Sequence, residues 1–223
     1  MPGAAEVLPV RPARRSGVPA QLGQDTWPDL ACEPHPQRPC GLHKLGVITV
    51  TLAVCLLFDR RSERAIRALW DQLESLGVPS LRSHTHGRHV PHLSYVVLRS
   101  WDLASVTAAL SRLDAGEPVD LSFDGIGLFR RGRAWLLAGT AADLAARQER
   151  VAAAVAAAGA DLHKHYLPGA WLPHCSLAPR APLAQLPVLA AAVYDVLPLR
   201  ARLDRAALIN SATGELWPLE TLP

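Results

Sequence analysis

Two hexapeptides limit the fold more than any other feature of this chain: VPHLSY at 90–95 and LPHCSL at 172–177. Each reads aliphatic, Pro, His, any residue, Ser, hydrophobic, and their histidines lie 82 residues apart. That interval is too long for a solenoid repeat and points to two related halves. In a strand, residues i and i+2 face the same side. His92 and Ser94 therefore share one face and leave Leu93 and Tyr95 on the other, while His174 and Ser176 share a face opposite Cys175 and Leu177. Each strand is expected to bury its apolar pair and present an imidazole and a hydroxyl to a cleft. Pro91 and Pro173 stand at the first residue of a strand, where proline is tolerated.

The neighbouring sequence supplies the rest of such a fold. Residues 47–58, VITVTLAVCLLF, read as a buried strand. Asp59 opens a helix whose apolar face is Ile66, Leu69, Trp70, Leu73 and Leu76, and Gly77 and Pro79 end it. A strand over 92–98 and a helix over 102–114 follow, the latter with Leu103, Val106, Leu110 and Leu113 inward. VDLSFDGIGLF and AWLLAG read as a hairpin joined through RRGR. Thr140 caps an Ala-rich helix running to Gly159, with Asp143 well placed in its first turn. A strand over 173–178, a short helix near 183–194 and a closing hairpin around Gly214, beginning at Arg205, complete the order β-α-β-α-β-β-α-β-α-β-β. That mixture predicts an α+β architecture rather than a doubly wound sheet.

The bulk numbers exclude several classes. With 49% hydrophobic and 19% charged residues, the chain of 223 residues can build a core. A net charge of +3 suits an anionic substrate but is low for a duplex binder. The longest apolar run falls short of the roughly 20 residues that span a bilayer, and a soluble, cytoplasmic protein is expected. Residues 1–46 carry 8 of the 19 prolines without helical or strand period, so they read as an extension ahead of a domain over 47–223. Within them Cys32, His35, Cys40 and His43 have zinc-type spacing, but the segment offers no small fold to support a site, and chance spacing is the favoured reading. Cys55 and Cys175 sit in apolar runs and read as buried thiols.

Two imidazoles and two hydroxyls suit phosphodiester chemistry without a metal. In-line displacement at phosphorus needs a base on the attacking side and an acid on the leaving side, and histidine can serve as either near neutrality. The hydroxyls can donate to the phosphoryl oxygens, where charge builds.

On these two His-x-Ser motifs, their spacing and the β-α-β-α order, the chain over about 47–222 resembles the two-histidine (2H) phosphoesterases, nearest to the 2′-5′ RNA ligase-like RNA 2′,3′-cyclic phosphodiesterases. The resemblance implies a bilobal, pseudo-symmetric duplication, with two antiparallel sheets and outer helices around a central cleft. It implies His92 as proton donor, His174 as the base that activates water, and Ser94 and Ser176 as phosphate-binding hydroxyls. No cofactor and no metal are implied. The implied reaction opens a 2′,3′-cyclic phosphate on an RNA end or small nucleotide to a 2′-phosphate, with 2′-5′ ligation as its reverse. Both motifs carry Ser where many relatives have Thr. Relatives also continue the second motif through Leu-Ala to a basic residue, whereas here Pro179 intervenes before Arg180.

Other residues have competing readings. Arg180 is a candidate phosphate contact, and Tyr166 and Trp171 are candidates to stack on a base, although Trp171 equally suits packing. Arg130, Arg131 and Arg133 form a basic hairpin tip, read as a solvated turn in preference to an RNA-backbone contact. His84, His86 and His89 lack a framework to fix ligand geometry, and His163 and His165 read as solvated. A monomer acting on nucleotide substrates, away from membranes, is expected. The rival of a different class is a weakly catalytic RNA- or nucleotide-binding module on the same scaffold.

Overall fold

A computed structural model describes residues 51–129, 132–139 and 142–223. Their order is β1 (Leu52–Phe58), α1 (Arg60–Ser75), β2 (His92–Ser100), α2 (Leu103–Leu110), β3 (Val119–Phe129), β4 (Arg133–Ala138), α3 (Ala142–Ala157), β5 (Asp161–Leu162), β6 (His174–Ala178), α4 (Leu186–Tyr194), β7 (Leu199–Asn210) and β8 (Leu216–Leu219). The α+β class expected from the sequence is what forms. The N-terminal extension, its Cys/His set and the proposed Thr140 cap lie outside the described residues.

Local chemistry explains the helix boundaries. Asp59 accepts the Ser62 N–H at 2.7 Å, and Asp102 accepts the Ser105 N–H at 2.8 Å, so both helices of the first half start on an aspartate cap. Helix α1 buries Ile66, Leu69, Trp70 and Leu73 as its periodicity predicts, but Leu76, at the C-cap, is exposed.

The elements repeat a β-α-β-α-β unit. β1-α1-β2-α2-β3 is followed by β4-α3-β6-α4-β7, with the two-residue β5 inserted before β6. In each unit the first two strands pair antiparallel, β1 with β2 and β4 with β6. The third strands are exchanged: β7 lies beside β1, β3 lies beside β4, and β3 and β7 pair with each other. Leu203 is the pivot, partnered by Phe58 on one side and Val119 on the other. The expectation of two sheets is therefore corrected. One hydrogen-bonded sheet of eight strands runs β5-β2-β1-β7-β3-β4-β6, with β8 added to β7, and the two halves are its two ends.

The helices cover one face. There Leu52, Val54, Leu56 and Phe58 of β1 pack with Trp70, Tyr95, Phe123, Leu136, Val151 and Leu189 in the main core. The other face carries the small cluster Ala53, Cys55, Leu57, Ala207 and Ile209. Although β2 and β6 are far apart in the sheet order, the sheet curls until they lie side by side.

Candidate active site

Both motifs open onto the helix-free face. Directly paired residues of antiparallel strands project to the same side. His92 pairs with Leu57 and Ser94 with Cys55, while His174 pairs with Leu137 and Ser176 with Trp135. Leu93, Tyr95, Cys175 and Leu177 turn into the core, as the alternation predicts. One shared irregularity was not foreseen. Each ladder slips by one residue just after the serine, at Tyr95 in β2 and Leu177 in β6, so the two motif strands bend at equivalent places.

The two imidazoles are held identically. Nδ1 of His92 lies 2.7 Å from the Val90 carbonyl, and Nδ1 of His174 lies 2.7 Å from the Leu172 carbonyl. A carbonyl only accepts, so Nδ1 carries the proton in both rings, which leaves Nε2 as the atom that can gain or lose one. Burial holds both histidines below the ordinary imidazole range, partly offset by those carbonyls. His174 is lowered further by the charge of His92. A second proton on the pair is thus disfavoured.

The hydroxyls differ. Ser94 is 7% exposed, with Oγ 3.5 Å from Cys55 Sγ. Burial pushes the Cys55 thiol up to about 12, so it remains a neutral neighbour. Tyr166 also lies against Ser94; burial and Cys55 raise its phenol above the ordinary range, and the Ser94 hydroxyl partly opposes this. Ser176 is less buried.

An aromatic wall surrounds His174. Its ring centroid lies 5.2 Å from Trp135, 5.6 Å from Phe129 in an edge contact and 6.3 Å from Tyr166. Phe129 also lies 6.3 Å from His165 in a stacked arrangement. Of this wall, sequence reasoning singled out Tyr166 alone. Phe129 and Trp135 were read only as hairpin strands, because their approach to His174 depends on the β3–β4–β6 register. Trp171 is a bridging residue in the core, 9% exposed, with Nε1 donating to the Ser94 carbonyl at 2.9 Å.

The remaining candidates gather around the site without entering it. His84 stacks on His89 and His86 lies tilted against it, with centroids 5.7 and 4.2 Å away, and His89 bonds Thr85 Oγ1 at 3.0 Å. Burial and the neighbouring His86, His84 and His92 charges push His89 down to about 4. Among the described residues, no group of three or more His, Cys, Asp or Glu is arranged to hold a metal. His163 stands at the start of the turn Lys164–Tyr166 and His165 lies within it, exposed. Arg180 is exposed just beyond β6, and its charge acts on His84. Among the described residues no helix is long and apolar enough to cross a membrane.

A single curled sheet that presents one His-x-Ser strand from each half of a duplicated fold defines a two-histidine phosphoesterase. The chain belongs to the 2′-5′ RNA ligase superfamily, whose family model matches residues 58–215. Among solved structures, it is similar to E. coli LigT in apo form, at 14% identity and TM-score 0.54, covering 78% of this chain and 96% of that one. LigT complexed with 3′-AMP gives 16% identity and TM-score 0.53, with 78% and 97% covered. A structure described as a phosphoesterase gives 14% identity and TM-score 0.52, again with 78% and 97% covered. At these identities the likeness is one of fold. No curated protein matches the sequence.

Proposed function

We propose that the chain is a metal-independent phosphodiesterase that opens 2′,3′-cyclic phosphates of RNA ends or small nucleotides. The supporting observation is the twin geometry of the histidines. Both Nδ1 atoms are tied to the carbonyl two residues back, at 2.7 Å in each case, which leaves each Nε2 as the ring atom able to exchange a proton. With a cyclic phosphate between them, Nε2 of His174 takes a proton from water as the water oxygen bonds to phosphorus. The P–O3′ bond breaks, and Nε2 of His92 protonates the departing O3′, which leaves a 2′-phosphate and a 3′-hydroxyl. Ser94 and Ser176 donate to the non-bridging oxygens, whose charge grows in the transition state. Arg180 adds positive charge nearby, and Tyr166 with the wall around His174 offers a surface for the nucleoside. An RNA 5′-hydroxyl in the place of water gives 2′-5′ ligation through the same stations.

Direct assay on a panel of nucleoside 2′,3′-cyclic phosphates and 2′-5′-linked dinucleotides, read by phosphorus NMR, tests this. The expected product is the nucleoside 2′-phosphate, formed equally well with a chelator present. Tight binding of the cyclic phosphate without product would overturn catalysis in favour of a binding module.

A further inference from the structure

Arg133 opens β4 and Arg180 lies two residues past the end of β6, on segments that are held together. Ala134 pairs with Ala178 across the β4–β6 ladder, and just beyond it the Ala181 N–H donates to the Gly132 carbonyl at 2.6 Å. Gly132 adopts φ +73°, and a Cβ there would overlap the Ala181 carbonyl, so this junction requires glycine. The segments carrying the two arginines thus run against each other at one end of the ladder.

Arg133 also faces the site. It pairs with Phe129 and lies two residues before Trp135, so it shares their side of the sheet, where both aromatic rings touch His174. Its charge reaches Tyr166, His163 and His84, and Arg180 acts on the same His84. Among the described residues neither arginine forms an ion pair. Two cations placed together without a carboxylate repel each other, and an anion between them relieves that cost.

We infer that Arg133 and Arg180 form a second phosphate site, which takes the phosphodiester on the 5′ side of the reacting nucleotide and makes an RNA end a better substrate than a mononucleotide. The inference rests on the phosphodiesterase reading for the reacting group. Arg133 and Trp135 stand two positions apart on the strand, roughly 7 Å, a span that one nucleotide of backbone can bridge. The nucleoside then lies along Phe129 and Trp135.

The test compares kcat/KM for uridine 2′,3′-cyclic phosphate with that for a trinucleotide ending in the same group. Wild type should prefer the trinucleotide. Arg133→Gln and Arg180→Gln should each lower that preference about tenfold and reduce the steepness of its salt dependence by about 0.7 in log–log slope. Arg64→Gln, on the exposed side of α1, should leave the preference unchanged. No trinucleotide preference in wild type, or an unchanged preference in both cleft-side variants, overturns the second site. If wild type opens neither substrate, the phosphodiesterase reading fails on its own. Fluorescence anisotropy with a 3′-phosphorylated trinucleotide then decides the second site: tenfold weaker binding by Arg133→Gln supports it, and equal binding overturns it.

Discussion

Trp171 donates its indole N–H to the main-chain carbonyl of Ser94 at 2.9 Å, and so ties the segment leading into one motif to the strand of the other. The relationship is reciprocal. Trp70 of α1, in the first half, donates to the Ser176 carbonyl at 3.2 Å. Each serine's carbonyl lies beside the bend in its strand and is satisfied by an indole from the opposite half. Trp171→Phe keeps most of the ring and removes the donor, leaving a buried carbonyl unpaired at a cost of about 1–3 kcal/mol. The expected outcome is a lower urea midpoint with an unchanged m-value, and Trp70→Phe should behave alike. A midpoint equal to wild type in both variants would show that these bonds hold nothing together.

Removal of either imidazole should stop the reaction without unfolding the chain. His92 and His174 are partly exposed and sit outside the main core, so alanine there leaves no large apolar cavity. His92→Ala and His174→Ala are each expected to lower kcat by about 10²–10⁴, while far-UV circular dichroism and the melting temperature stay near wild type. Ser94→Ala and Ser176→Ala should be milder, about tenfold in kcat/KM, since each removes one neutral donor. Normal turnover by either histidine variant would refute the acid–base assignment.

The rate should depend on pH in a way set by burial. Desolvation lowers both histidines, and the His92 charge lowers His174 further. The acid must be protonated and the base neutral, so kcat/KM should be bell-shaped, with both limbs below the ordinary imidazole value of 6.5. An anionic phosphate between the rings favours the protonated acid, so the alkaline limb of kcat should move to higher pH. An alkaline limb of kcat/KM above 6.5 would contradict the electrostatics of the free enzyme.

The motif strands were legible because their chemistry is local: alternation sets the faces, and proline marks each start. What joins them was not. The first half of β7, Leu199–Asp204, alternates apolar and charged residues, but its inward side includes only a small Ala201 between Leu199 and Leu203. The expected hairpin therefore began at Arg205, and the pairing with β3 that fuses two sheets into one went unseen. The wall of Phe129 and Trp135 is a tertiary product of two registers. The bend after each serine depends on which partner residue is skipped, and a single strand's sequence does not record that.

Gly127 offers a sharper test of that wall. It pairs with Trp135 across the β3–β4 hairpin, and the indole lies flat over it where a Cβ would overlap the six-membered ring. Backbone freedom is not the reason for glycine here, since the need is space. Gly127→Ala must displace Trp135, whose ring stands 5.2 Å from His174. Neither histidine's carbonyl bond involves Trp135, so the acid–base machinery should survive while the surface beside it shifts. The expected result is a several-fold rise in KM for nucleotide substrates with a smaller change in kcat, accompanied by a change in tryptophan fluorescence. Gly125→Ala is the control, because its Cβ would make only ordinary contacts, at 3.8 Å to Leu137. If Gly127→Ala and Gly125→Ala shift KM equally, the Trp135 surface does not contribute to nucleotide binding.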